Sequence, residues 1–378
     1  MRIAGTVALK SALITGALCA LLTSSLANAQ QAPQVAKNVR LGGGLYEVVY
    51  SAADKAVFVT AAGSRGSGEG GHVIKLDPET LKVLKDVTMP ERTFGIALND
   101  KTQMLYTTNT IAGSLSVLDL SSGKVIKTLP LSDVAKAHAA GEKPAQPHAE
   151  GGKPDQPRPE GGKPTQPRQV AVDEASNTVY VTGVAKKGVI WVVDGSDNTL
   201  KNTIENVGAM TLGLAVDAPH QRLYAVNMGD NEIAVIDTAS DKVIERFAAG
   251  GKKPMNVAVD VDTQRLFVAN MGSNDVSVID ARSGKLIRTV ATGEGALGVS
   301  FDPVGKRIYV ANRGAGTVSV IDATSYELLA ELETGTHPNT VAIDPATQRA
   351  YVTNKTARPK EGESAQDDNG DTVTLITP

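Results

Sequence analysis

Residues 256–290 read NVAVDVDTQRLFVANMGSNDVSVIDARSGKLIRTV, and this stretch decides the fold. It contains four short apolar runs, VAVD, RLFVAN, DVSVID and KLIRTV, separated by clusters of Asp, Gly, Asn and Ser. Within each run apolar residues alternate with small or polar ones, which is typical of a strand that buries one face. The stretch therefore predicts four antiparallel strands joined by tight turns at 262–263, 272–273 and 283–284.

This four-strand unit repeats along the chain. The asparagine that ends the second run recurs as Asn227, Asn270, Asn312 and Asn354, at intervals of 43, 42 and 42 residues. A fixed period of this length, with four strands in each unit, is the signature of propeller blades. Seven second strands can be read in order, at 57–60, 104–109, 178–183, 222–227, 265–270, 307–312 and 349–354. The predicted fold class is all-β, a seven-bladed β-propeller with four antiparallel strands per blade.

The last unit lacks a fourth strand, because the chain ends after DTVTLIT. Residues 35–41, VAKNVRL, form an unassigned strand just before the first blade. Pairing this N-terminal strand with the last blade would close the ring and remove two free sheet edges. We therefore expect the last blade to be closed by the N-terminal strand.

The N-terminus has the pattern of an export signal. Arg2 and Lys10 precede or border a short apolar run at 12–22, and Ala27-Asn28-Ala29 has the small-x-small form of a cleavage site. We expect residues 1–29 to be a cleaved signal peptide and 30–378 to be one periplasmic propeller domain. The apolar run is short for a membrane span, so no membrane insertion is expected after cleavage. The formal net charge of −3 gives no general argument for or against a nucleic-acid partner.

Three long interruptions of the repeat are expected on one face of the propeller. Residues 138–167 are three decapeptides, HAAGEKPAQP, HAEGGKPDQP and RPEGGKPTQP, whose Pro, Gly and charge content predicts a mobile insert. Two other long loops, 62–71 and 355–370, join second to third strands. In a propeller these loops emerge beside those that join a fourth strand to the next blade. This loop-rich face, around the mouth of the central channel, is the candidate functional face.

Basic side chains on the loop-rich face are the candidate ligand-binding residues. They are Arg65, Arg92, Arg168, Lys186, Lys187, Lys252, Lys253, Arg313 and His337, with Lys355 and Arg358 in the wider set. Arranged around the channel mouth they would bind a polyanion such as a phosphodiester chain. The alternative is that they are solvated loop charges, because Glu91, Asp230 and Glu294 lie in or beside the same loops.

Few aromatic residues are available to stack on bases. Trp191 replaces the small residues found at Ala234 and Ser277 of later blades, and interior packing is the favoured interpretation over exposure beside a loop. Tyr46 and Phe94 begin innermost strands and are expected to line the channel.

Nothing in the sequence requires an enzyme. The five histidines show no metal-ligand spacing, and only His138 and His148, in the decapeptides, suggest loose metal binding. We predict no catalytic residues, no metal site and no cofactor.

The repeated Tyr-Val-Ala/Thr-Asn followed by Val-Ser-Val-Ile-Asp resembles the YVTN repeats of the YncE-like propeller family. Five further stretches share this resemblance: GGGLYEVVYS (42–51), QPRQVAVDEASNTVYVTG (166–183), VIWVVDG (189–195), TVSVIDATSYE (317–327) and THPNTVAID (336–344). The decapeptide array departs from the family, which has one short connection there. The resemblance implies an exported, non-catalytic, seven-bladed propeller. Such proteins have been associated with DNA binding, including single strands, and with iron-responsive expression.

Three classes of function remain open. The first is a monomeric module that binds single-stranded DNA or another polyanion on the loop-rich face. The second is a protein–protein scaffold of the cell envelope, with the decapeptide insert as its docking segment and a link to iron-responsive physiology. The third is a cofactor-dependent oxidoreductase, because some propellers hold haem or quinone groups.

Overall fold

The computed structural model describes Met1 and residues 32–63, 70–132, 164–357 and 367–378. Within these ranges the chain forms seven four-stranded antiparallel sheets, each of which is one blade of a propeller. Several predicted features lie outside the described residues. They are the signal peptide apart from Met1, most of the decapeptide insert, and the basic residues Arg65 and Arg358. Strand alternation and period had predicted this architecture, and the prediction of an all-β seven-bladed propeller is confirmed.

The first three blades contain the following strands. Blade 1 consists of β2 (Leu45–Ser51), β3 (Ala56–Ala61), β4 (His72–Leu76) and β5 (Val83–Thr88). Blade 2 consists of β6 (Ile96–Asn99), β7 (Met104–Asn109), β8 (Ser114–Asp119) and β9 (Lys124–Pro130). Blade 3 consists of β10 (Gln166–Asp173), β11 (Thr178–Val184), β12 (Gly188–Asp194) and β13 (Thr199–Gly208). Because β10 begins at Gln166, the last two residues of the predicted 138–167 insert belong to blade 3.

The remaining blades repeat the same order. Blade 4 consists of β14 (Thr211–Asp217), β15 (Arg222–Asn227), β16 (Glu232–Asp237) and β17 (Lys242–Ala248). Blade 5 consists of β18 (Pro254–Asp260), β19 (Arg265–Asn270), β20 (Asp275–Asp280) and β21 (Leu286–Ala291). Blade 6 consists of β22 (Ala296–Asp302), β23 (Arg307–Asn312), β24 (Thr317–Asp322) and β25 (Leu328–Glu333). Blade 7 consists of β26 (Pro338–Asp344), β27 (Arg349–Asn354), β28 (Thr372–Thr377) and β1 (Gln34–Arg40).

The N-terminal strand closes the ring as predicted. β1 pairs antiparallel with β28, with Val39 opposite Val373. The closure continues beyond the strand, because Leu41 N and Gly42 N both donate hydrogen bonds to the Asp371 carbonyl, at 3.0 and 3.2 Å. The Asp371 carboxylate then accepts the N–H of Leu45 at 3.2 Å. First and last blades are therefore joined by main chain as well as by side chains.

The core lies between neighbouring blades and is built mainly from second and third strands. The tyrosine of the second strand is fully buried in five blades, as Tyr106, Tyr180, Tyr224, Tyr309 and Tyr351. Trp191 is 4% exposed and belongs to the cluster that packs blade 2 against blade 3. Interior packing is therefore confirmed for this tryptophan.

The two kinds of long connection share one face, and main-chain hydrogen bonds tie them together. In blade 5, Met271 N donates to Lys253 O at 3.0 Å, which joins the loop after β19 to the residue before β18. In blade 7, Lys355 N donates to His337 O at 3.2 Å in the same way. Residues that precede a first strand therefore lie directly beside the loop that follows the second strand. Among the described residues, no helix is long and apolar enough to cross a membrane.

Candidate functional site

The mouth of the central channel on the loop-rich face is formed by one residue from each blade. The first, innermost strand of each blade ends in a polar residue. The residue five positions before this polar residue occupies the equivalent position, at the mouth, in all seven blades. We call this set the mouth ring. In blade order it consists of Tyr46, Phe94, Arg168, Leu212, Met255, Leu297 and Asn339.

One side of the mouth ring combines aromatic rings with cations. Arg168 Nη1 donates a hydrogen bond of 2.8 Å to the Tyr46 hydroxyl, and its guanidinium carbon lies 4.9 Å from the Tyr46 ring centroid. Lys355 Nζ lies 3.3 Å from the same centroid. Phe94 packs edge-on against Tyr46, with 4.8 Å between ring centroids. Cation–π attraction thus gathers two positive charges over one tyrosine.

The opposite side of the mouth ring is apolar. Leu212, Met255 and Leu297, from blades 4 to 6, are each half-buried. Their exposed parts face the same opening as Arg168, because all of them line one cavity. The mouth therefore presents a hydrophobic arc beside a cationic and aromatic arc.

A second layer of residues, directly below the mouth ring, alternates polar side chains with glycine. This inner layer consists of Glu47, Gly95, Gln169, Gly213, Asn256, Gly298 and Thr340. A side chain at Gly95 would collide with the Arg168 carbonyl, and one at Gly298 would collide with the Asn339 carbonyl. Blades with glycine therefore leave room for their neighbours at the narrow centre of the ring.

Polar members of the inner layer join one blade to the next. Glu47 Oε2 accepts the N–H of Ile96 at 3.2 Å, and Gln169 Oε1 accepts the N–H of Leu214 at 3.0 Å. Thr340 Oγ1 accepts the N–H of Val48 at 3.2 Å, across the closure between blades 7 and 1. In each case the donor follows the inner-layer residue of the neighbouring blade. These bonds satisfy N–H groups at the inner sheet edges, where no further strand can pair with them.

Glu47 is the charged member of this layer. It is 9% exposed. Burial raises the pKa of its carboxyl to about 7, against the opposing effect of the positive charges of Arg168 and Lys355 and of the Ile96 N–H. Near neutral pH the Glu47 carboxyl is therefore close to the midpoint of its titration.

Two predicted residues, Arg313 and His337, lie outward from the mouth between blades 6 and 7, and Arg313 extends the positive surface there. Arg313 Nη1 donates to Asn339 Oδ1 at 3.1 Å, which connects it to the mouth ring. Arg313 and His337 line a groove of about 520 Å³ together with Gly314, Gly316 and Gly335. Burial, followed by the nearby Arg313 and Lys355 charges, lowers the pKa of His337 below its usual value, although Asp367 opposes this shift. The histidine is therefore mainly neutral at pH 7.

The other predicted basic residues lie elsewhere on the loop-rich face. Arg92 holds the loop after β3, because its Nε and Nη2 atoms donate to Ala62 O and Gly63 O at 2.6 and 3.1 Å. Lys186 and Lys187 are exposed in the loop between β11 and β12, and Lys252 and Lys253 are exposed before β18. Arg65 lies outside the described residues. Of the nine predicted residues, the structure thus places Arg168 at the mouth, and Arg313 and His337 in the adjoining groove between blades 6 and 7.

Tyr46 and Phe94 take the mouth-ring positions of blades 1 and 2, where Phe94 is buried, whereas Glu47 and the apolar arc were not predicted from the sequence. An alignment of the seven first strands on their terminal polar residue would have identified both layers. Such an alignment shows Glu47 at a position otherwise held by Gly, Gln, Asn or Thr. Among the described residues, no group of His, Cys, Asp and Glu is arranged to hold a metal ion.

Comparison with known proteins gives one family and several relatives. A family model described as YNCE-like beta-propeller matches residues 167–361, which run from blade 3 into blade 7. The chain is 35% identical over 238 residues to the "Uncharacterized protein YncE" of Escherichia coli (strain K12), covering 63% of this chain and 60% of that protein. The YncE protein of Salmonella typhi matches with the same identity and coverage. The chain thus spans about 60% of the length of the curated relatives it matches.

Proposed function

The chain belongs to the YNCE-like beta-propeller family, and we propose that it is a non-catalytic, monomeric binding protein of the periplasm. Its ligand would be single-stranded DNA or another polyanion, held on the loop-rich face of the propeller. The periplasmic location is supported by the export pattern of residues 1–29, with Arg2, an apolar run and Ala27-Asn28-Ala29.

The observation that carries this proposal is the placement of Arg168 and Lys355 over Tyr46, at the opening of the channel. Two cations beside one aromatic ring are suited to a ligand that carries phosphate next to a planar base. The apolar arc of Leu212, Met255 and Leu297 adds a surface on which an unpaired base can lie. A duplex keeps its bases stacked inside, so this combination favours a single strand.

The proposal is tested by titrating a short single-stranded oligonucleotide at several salt concentrations. For single strands, the logarithm of the affinity falls with the logarithm of salt by about 0.7 for each phosphate that the protein neutralises. The double variant Arg168→Gln, Lys355→Gln should therefore bind more weakly, with a slope shallower by about 1.4. The readout is fluorescence anisotropy.

The matched control is the double variant Lys101→Gln, Lys306→Gln. Both lysines lie in turns between first and second strands, on the face opposite the loop-rich face. Their replacement removes the same amount of charge, but at a distance from the proposed site. Affinity and slope should then stay as in the unaltered protein. Absence of binding, or binding that does not respond to salt, would overturn the proposal.

A second candidate is a scaffold that binds another envelope protein. It is favoured by exposed apolar side chains on the outer strands of blades 5 and 6, Leu286 and Ile287 on β21 and Leu328 and Leu329 on β25. Exposed apolar side chains grouped on outer strands are typical of protein interaction surfaces. The same oligonucleotide titration separates the two candidates. A scaffold that binds proteins through its outer strands is not expected to bind oligonucleotides through Arg168.

A further inference from the structure

A small cavity lies directly beneath the mouth ring. Its volume is about 40 Å³, and its walls include Glu47, Arg168, Gln169 and Asn256. A buried water needs about 10–15 Å³ by this measure, so the cavity has room for roughly three waters. Ligand sites for whole small molecules are about 300 Å³ or larger. The cavity can hold a phosphate group, but it excludes a nucleoside.

The polar walls of the cavity are suited to an anion. Gln169 Oε1 accepts the Leu214 N–H at 3.0 Å, and Asn256 Oδ1 accepts the Val257 N–H at 2.8 Å. With these oxygens engaged, each amide contributes its NH2 group, which can only donate. The Arg168 guanidinium carries five N–H donors, and its bond to the Tyr46 hydroxyl uses one of them.

Glu47 at the wall decides which charge the cavity accepts. A buried carboxylate alone would favour a cation, but Arg168 and Lys355 lie close enough to oppose one. Burial raises the pKa of Glu47 to about 7, so a bound anion can be accommodated by a neutral carboxyl that donates its O–H. Proton uptake by Glu47 therefore removes the one negative charge that would repel a phosphate.

We propose that this cavity is a subsite for a phosphomonoester at the end of a nucleic-acid strand. The inference rests on the proposed function and makes it more specific, because the protein would bind strands with a phosphorylated end in preference to others. A phosphate inside a strand has a nucleoside on both sides and cannot enter a space of this size. Only a terminal phosphate can enter the cavity and reach the donors of Gln169 and Asn256 together with Arg168.

The groove between blades 6 and 7 can accommodate the nucleotides that follow the terminal phosphate. It is lined by Arg313 and His337 and has a volume of about 520 Å³, enough for a nucleotide. Asn339 joins the two sites, since it lines the cavity and accepts a hydrogen bond from Arg313. The strand would thus run from the cavity, past Asn339, along the loop-rich face.

The test compares three oligonucleotides of one sequence, carrying a 5′-phosphate, a 3′-phosphate or hydroxyls at both ends. A hydrogen-bonded contact with a charged group is worth a tenfold or larger change in affinity, so one phosphorylated end should bind about tenfold more tightly than the hydroxyl form. Inorganic phosphate should compete with that end and leave the weaker binding of the hydroxyl form unchanged. Anisotropy at fixed salt, with an internal label, measures all three affinities.

Variants separate the subsite from general attraction. Arg168→Gln should abolish the preference for the phosphorylated end. Lys186→Gln combined with Lys187→Gln should lower every affinity and keep the preference. Equal binding of the three oligonucleotides would overturn the subsite while leaving the proposed function standing, and binding of none would overturn both. If Arg168→Gln fails to fold, competition by inorganic phosphate on the unaltered protein still decides the matter.

Discussion

Glu47 occupies the inner-layer position that Gln169 occupies two blades later, and both accept an N–H from the next blade. The amide makes this bond without charge, whereas burial raises the pKa of the carboxyl and the bond from Ile96 opposes that rise only in part. A glutamate is therefore not required by the fold at this position. It places a titratable group beneath Arg168, at the wall of the proposed phosphate subsite.

Glu47 should make the protein less stable as the pH rises. Its folded-state pKa is about 7 against an ordinary value of 4.5, so the folded protein binds more protons than the unfolded chain between these values. The free energy of unfolding should fall across that window by up to about 3 kcal/mol and level off above it. Glu47→Gln should remove this decline and make the variant the more stable protein at pH 8.

Urea unfolding of both proteins at pH 5 and pH 8 checks this prediction. The quantity to compare is the difference between the variant and the unaltered protein, because His337 and other groups titrate equally in both. A difference that stays constant with pH would show that Glu47 does not titrate in this range.

The mouth residues show how far sequence can predict a site. Arg92 precedes β6 and Arg168 lies near the start of β10, and the sequence prediction placed both on the loop-rich face without distinguishing their roles. In the structure Arg92 binds the Ala62 and Gly63 carbonyls, whereas Arg168 reaches Tyr46, which is 122 residues away in sequence. Loop position predicted the face, but the partner of each cation depends on contacts between blades.

Blades 4 to 7 share one repeated contact between strand and connection. The asparagine that ends the second strand of blade 5, Asn270, is buried and donates to Asp275 Oδ1 and Ser277 Oγ, both at 2.8 Å. Its amide packs against Gly251, where a side chain would collide with it. Glycines also pack against Asn227, Asn312 and Asn354 in blades 4, 6 and 7. The strand repeat could be predicted from alternation, but this pairing of Asn with Gly is visible only in three dimensions.

Gly251→Ala should destabilise the protein by about 2 kcal/mol, since a methyl group is forced into an occupied space. Asn270→Ala should cost about as much, because it removes the donor for Asp275 and Ser277. The double variant should lose less than the sum, by about 1 kcal/mol, because the shortened side chain leaves part of the space for the new methyl. Relief is partial because the β-carbon at 270 remains close to position 251.

Denaturant unfolding of the two single variants and the double variant measures this coupling. Strict additivity would show that the cost of a methyl group at position 251 does not come from contact with Asn270.

At the scale of the whole molecule, the ring has to be closed by strands from opposite ends of the chain. β1 pairs with β28 over six residue pairs, and Asn38 Nδ2 reaches the Thr334 carbonyl at 2.8 Å. Closure could be predicted because the last unit visibly lacked a strand and the N-terminus supplied a spare one. It also fixes the site, since Tyr46 lies in β2, the strand after β1, and its carbonyl accepts a hydrogen bond of 2.7 Å from Asn339 of blade 7.

A truncated chain that begins at Leu41 should therefore lose both stability and ligand affinity. Without β1, the outer edge of β28 is unpaired and Leu41 and Gly42 no longer align blade 1 on Asp371. We expect the midpoint temperature of unfolding to fall by several degrees. A loss of about 1 kcal/mol in unfolding free energy lowers this midpoint by roughly 2–4 °C in a domain of 150–250 residues, and by somewhat less in a larger one. Oligonucleotide affinity should fall as well, because Tyr46 and Asn339 are aligned across the same junction.

A synthetic peptide of residues 33–40, added to the truncated chain, should restore both stability and binding by taking the place of β1 beside β28. A peptide of the same composition in scrambled order is the control, because it lacks the alternation that places Val39 opposite Val373. Hydrogen exchange of the β28 amides that face β1 follows the repair directly, because the amides that face β27 stay paired in either case. If the truncated chain kept its midpoint and its β28 protection, closure by β1 would have no role in stability. If stability returned without binding, alignment of the mouth would depend on residues other than those at the junction of blades 7 and 1.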